Sequence, residues 1–83
     1  MPLPRYYFNS QTSTLQSDSE GTRLGSDGEA LAVAVRDLGE MMKDDPHGFW
    51  RTRPWTMTVT DSRKTVLFEI TLGGEASALL EQP

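Results

Sequence analysis

The chain has 83 residues, enough for one small domain and for no second core. Hydrophobic residues make up 36%, and Leu, Ile, Val and Phe number 17, which sits at the lower margin of foldable composition; a net charge of −4 is weak enough to permit collapse. With no cysteine and one histidine, the composition excludes a disulfide framework, a thiolate or paired-histidine metal site and a cysteine nucleophile. The longest apolar run, Ala30 to Val35, is too short to span a bilayer, and the opening MPLPRYYF lacks the features of a secretory signal, so a cytoplasmic protein is expected.

Arg5 to Asn9 reads as a first strand, with Tyr6 and Phe8 on one face. The polar stretch that follows predicts a turn and a weak return strand around Thr12 to Gln16. Asp18-Ser19-Glu20-Gly21 supplies turn chemistry.

A helix is predicted from Ser26 to Asp44. Ser26 and Glu29 have the spacing of a capping box. Leu31, Ala34, Val35, Leu38, Met41 and Met42 then recur at three- and four-residue intervals, which predicts the buried stripe. Val33 falls outside it as a partly exposed aliphatic. Pro46 stops the helix, and Asp44 and Asp45 stand at the negative end of its dipole with no structural role legible in the sequence.

Residues 47–54 read as a loop carrying Phe49, Trp50, Arg51 and Arg53. Trp55 to Thr60 and Thr65 to Leu72 each alternate apolar and polar residues across the polar gap Asp61 to Lys64, the pattern of a β-hairpin.

Assembled, these elements predict an α+β fold: a β-β-α-β-β domain whose antiparallel sheet of about four strands carries one helix on one face. Residues 4–73 form the domain, with flexible ends at 1–3 and 74–83. The expected core is Tyr6, Phe8, Leu31, Val35, Leu38, Met42, Trp55, Met57, Val59, Val66, Phe68 and Ile70, with Leu72 at its margin.

Pro4-Arg5-Tyr6-Tyr7-Phe8, the turn Asp18-Ser19-Glu20-Gly21-Thr22, the Ala-rich acidic stretch Glu29 to Val35, and Val59-Thr60-Asp61 followed by Val66-Leu67 together resemble a short, uncharacterised bacterial domain family of unknown function. The resemblance covers about Pro4 to Leu72 and implies the fold without implying an activity, substrate or partner. The chain departs from the family pattern in three places. Gly25-Ser26 replaces a proline before the helix, the hairpin turn lacks its glycine, and residues 46–55 are more aromatic and basic.

Chemistry-bearing constellations are sparse. Asp18, Glu20, Thr22, Ser26 and Glu29 fall at calcium-loop spacing, but Arg23 occupies the position that requires glycine and no helix precedes them. His47 could act as a base oriented by Asp44 or Asp45, yet no nucleophile motif accompanies it. Gly21 to Gly28 holds three glycines before a helix but lacks a P-loop lysine and lies among acids that repel phosphate. No cofactor and no small-molecule substrate are legible.

Charge is unevenly placed: eight acids oppose three bases between Asp18 and Asp45, and four bases oppose Asp61 between His47 and Lys64. Phe49, Trp50, Arg51 and Arg53 are therefore the candidate partner-binding residues, because aromatic and arginine side chains concentrate binding energy at interfaces; the opposing reading folds Phe49, Trp50 and Trp55 back to cap the open end of the core. The expected function is a non-catalytic protein–protein interaction or regulatory module, working with an unknown protein partner or as a weak homodimer paired through the Thr12 to Gln16 edge. The alternative is a nucleic-acid-binding module using the basic aromatic loop 47–55, which an acidic balance disfavours. An enzyme is the third reading.

Overall fold

The computed structural model describes residues 2–77. Met1 and residues 78–83, which carry most of the expected flexible ends, lie outside the described residues. The elements in chain order are β1 (Arg5–Gln11), β2 (Leu15–Gln16), β3 (Thr22–Arg23), α1 (Asp27–Asp44), α2 (Pro46–Thr52), β4 (Trp55–Thr60) and β5 (Val66–Leu72).

All strand pairs are antiparallel. The sheet runs β2-β1-β4-β5, and β3 joins the same outer side of β1 as β2. β1 and β4 form its centre, with Tyr7 opposite Thr60 and Gln11 opposite Thr56. The α+β class and the antiparallel sheet are as the sequence predicts. The fifth strand and the second helix are additions.

Ser26 caps α1 in extended backbone, its hydroxyl accepting the Glu29 N–H at 3.2 Å. The Glu29 carboxylate returns to accept the Gly25 N–H at 2.9 Å, one residue further out than in the usual capping box. The helix buries Ala30, Ala34 and Leu38 against the sheet.

That face corrects the expected stripe. Leu31 is 45% exposed and Val35 is 54% exposed, while Val33 is half-buried. Two causes turn the helix. The buried Tyr6 donates its hydroxyl to Asp27 at 2.7 Å and so anchors the first turn. The sheet also offers large side chains, Tyr6, Trp55 and Met57, which fit against alanines and would overfill the space against Leu31 and Val35.

Asp45 accounts for the second helix, where the sequence reading placed a loop. Its N–H donates to the Met41 carbonyl at 3.2 Å, closing α1. Its carboxylate accepts the Gly48 N–H at 3.0 Å, opening α2, with Pro46 in the first turn. An Asp-Pro pair is an N-terminal helix signature, so this role was available to sequence inspection. Gly48 lets the carboxylate lie close, since a Cβ there would fall 1.9 Å from Asp45 Oδ2.

The β4–β5 hairpin forms as predicted, with one departure. Thr60 pairs with Val66 and Val59 with Phe68, so the ladder shifts register there. Leu67 thereby packs on the core, and Val66, an expected core residue, is 59% exposed. The completed core is Tyr6, Ala30, Ala34, Leu38, Phe49, Trp55, Met57 and Val59, flanked by Phe8, Met42, Phe68, Ile70 and Leu72 among others.

Candidate partner-binding surface

The four candidate residues do not share one surface. Phe49 is only 8% exposed and meets Trp55 edge to face at 5.4 Å, which removes it from any docking surface. Helix periodicity is the cause: once residues 46–52 are helical, the turn that exposes Arg51 sends Phe49 inward. The Trp55 indole N–H is satisfied by the Thr52 hydroxyl at 2.8 Å, so both rings are fixed parts of the core.

Trp50 is half-buried, and the Arg53 guanidinium lies 3.7 Å over its ring. Arg53 also donates to the Gly74 carbonyl at 2.7 Å and to the Trp50 carbonyl. Arg51 is exposed. Arg51, Arg53, Pro54, Gly73, Gly74 and Glu75 line an open cleft of about 530 Å³. Trp55 pairs with Leu72, so this cleft sits at the end of the sheet where β5 finishes.

The backbone of β1 is closed along its outer side by three separate devices. β3 pairs at Arg5 and Tyr6, and β2 pairs at Ser10 and Gln11. Between them the Asp18 carboxylate accepts the N–H groups of Phe8, Glu20 and Gly21 at 2.9–3.1 Å. Gly21, with φ of 73°, is the residue this turn requires; a Cβ would come within 2.9 Å of the Tyr6 carbonyl and the Tyr7 ring. The edge expected to accept a partner strand, Thr12 to Gln16, is therefore reduced to the two residues of β2. Among the described residues, the long unpaired edge is the outer side of β5, seven residues from Val66 to Leu72.

Electrostatics follow these contacts. Burial pushes the Asp18 carboxyl up, but the bonds from Gly21, Phe8 and Glu20 outweigh it and hold the group below the usual carboxylate range. The bond from Tyr6 to Asp27, then burial and the charges of Asp27 and Glu29, raise the Tyr6 hydroxyl above the ordinary phenol range.

The remaining sequence candidates are dispersed. Asp18 and Glu29, two of the calcium-spaced acids, serve the β1 turn and the α1 cap, and no group of three His, Cys, Asp or Glu converges among the described residues. His47 is exposed on α2, and of its two candidate orienting acids, Asp44 and Asp45, the second caps α2 through its carboxylate.

A central antiparallel sheet with both helices on one side and an open edge defines a small two-layer α+β domain. Residues 5–73 match the sequence model of DUF6894, a domain of unknown function, and the chain belongs to that family. No curated protein and no solved structure matches it. No helix among the described residues is long and apolar enough to cross a membrane.

Proposed function

We propose that this domain is a non-catalytic protein–protein interaction module, which adds an extended segment of a partner protein to the outer edge of β5. The observation that carries this reading is the contrast between that seven-residue edge and the closed side of β1. An unpaired strand edge presents main-chain donors and acceptors that give affinity, and side chains at its rim give selection. Arg51 and the Trp50–Arg53 stack stand at the β5 end of the sheet and supply rim contacts of the kind that concentrate binding energy. A cytoplasmic setting belongs to the same proposal. The nucleic-acid reading has less support, because base stacking needs open ring faces and Phe49 is buried while Arg53 covers Trp50.

The test is capture from native cell extract by the wild-type chain and by a Val66→Lys/Thr71→Lys variant, which places charge on the edge in the way natural edges discourage pairing. Both positions are exposed, so the variant should melt with the wild type. The proposal expects the captured partner to be lost from the variant and weakened by Arg51→Ala. Equal capture by all three chains would overturn it.

A further inference from the structure

The helix-free face of the sheet holds a cavity of about 570 Å³ between the turn at residues 17–21 and the β4–β5 turn. Tyr7 and Asn9 of β1 and Thr60 of β4 face into it from the sheet, as their pairing and the two-residue repeat of a strand require. Asp18 and its flanking serines bound one side, and Asp61, Ser62 and Lys64 bound the other.

The polar groups here differ in what they have left to give. Asp18 has spent both carboxylate oxygens on backbone N–H groups. Asn9 accepts the Asp18 N–H through Oδ1 at 2.9 Å, which fixes its amide and leaves the Nδ2 hydrogens for another acceptor. Asp61 uses Oδ1 for the N–H groups of Arg63 and Thr65 and keeps Oδ2. The hydroxyls of Tyr7, Thr60 and Ser62 and the Lys64 ammonium have no hydrogen bond or ion pair among the described residues. Lys64 holds φ of 65°, a region easier for glycine or asparagine, and stands in the cavity lining.

Two carboxylates and one ammonium leave the lining net negative by one charge, which disfavours an anion. A simple cation finds a single uncommitted carboxylate oxygen. A neutral ligand dense in hydroxyl groups satisfies the whole set: it accepts from Asn9 and Lys64, donates to Asp61 Oδ2 and exchanges bonds with the hydroxyls. Its C–H face can lie on the Tyr7 ring, one edge of which lies close to Gly21. We propose that this cavity binds a neutral saccharide of one or two pyranose units, a site separate from the β5 edge. The volume falls within the range of roughly 300–1,000 Å³ typical of small-molecule sites.

The test is an amide NMR titration of the whole chain with glucose, N-acetylglucosamine and maltose, run against sodium glutamate and inorganic phosphate at matched ionic strength. The proposal expects saturable shifts confined to residues 7–9, 17–19 and 60–64 with at least one saccharide, at a Kd near ~1–10 mM. Tyr7→Leu and Lys64→Gly should each weaken binding by about fivefold or more, roughly 1 kcal/mol. Lys64→Gly relieves a left-handed residue and so keeps the test readable if Tyr7→Leu fails to fold. Absence of saturation by every saccharide up to ~100 mM, saturation by glutamate or phosphate instead, or unchanged affinity in Lys64→Gly would overturn the proposal.

Discussion

Along the outer side of β1 the backbone groups are taken in turn by β3, by the Asp18 carboxylate and by β2, whereas along β5 seven residues run without such cover among the described residues. The closed side is built from fragments, two strands of two residues each and one side chain that imitates a third. The difference teaches that sealing an edge takes little chain when a half-buried carboxylate collects the N–H groups that no strand reaches. It also leaves β5 as the side on which association is least opposed.

The largest expected effect tests what the two sides share. Leu38 is fully buried beneath the centre of the sheet, and Leu38→Ala should cost about 2–5 kcal/mol. Denaturant titration should show both edges lost in one transition. Val35→Ala, on the exposed side of α1, should stay within about 0.5 kcal/mol; equal losses would return α1 to the orientation expected from periodicity.

The next effect separates the sides. Asp18→Ala should cost about 1–3 kcal/mol by leaving Phe8, Glu20 and Gly21 without an acceptor. Hydrogen exchange should then speed at residues 5–11 while β5 is unchanged. The same carboxylate sets an acid limit. Its folded pKa lies below the unfolded value of about 3.9, so its stabilisation is complete above that pH and is lost as pH falls through the folded value. Melting temperatures between pH 5 and pH 2 should therefore drop less steeply in Asp18→Asn than in the wild type. Tyr6 acts in the opposite sense: its raised hydroxyl contributes fully below pH ~10, and that contribution is lost as pH rises through the folded value.

The smallest effect belongs to the turn beside β5. Lys64→Gly should stabilise the fold by about 0.5–1 kcal/mol, because glycine accepts the left-handed conformation without Cβ strain. A loss of stability on thermal melting would mean that the lysine side chain supports the turn.

The sheet and the main helix were legible because alternation and helical spacing survive in the sequence for β1, β4, β5 and α1. What escaped had specific physical causes. Periodicity marks a stripe but not which of two neighbouring rows faces inward, and the Ala30–Ala34–Leu38 row wins through the bulk it meets opposite. The ladder shift at Val59/Thr60 exchanges the roles of Val66 and Leu67, which strict alternation cannot foresee. A loop at residues 47–54 does not decide between core and surface for Phe49; the helix signal that does is Asp45-Pro46. Arg51 and Arg53 line an open cleft, and Trp50 lies beneath the Arg53 guanidinium. The β5 edge and the Tyr7–Asn9 cavity depend on strand order and on contacts between distant turns, which no local pattern encodes.

Asp45 ends one helix with its N–H and begins the next with its carboxylate. Its consequence is a length rule. From Met41 to Gly48 the chain has no slack, since one residue added or removed on either side of Asp45 would detach one of the two caps and swing α2 with Phe49 out of register. Relatives of this chain should therefore keep the count between Met41 and Gly48 constant.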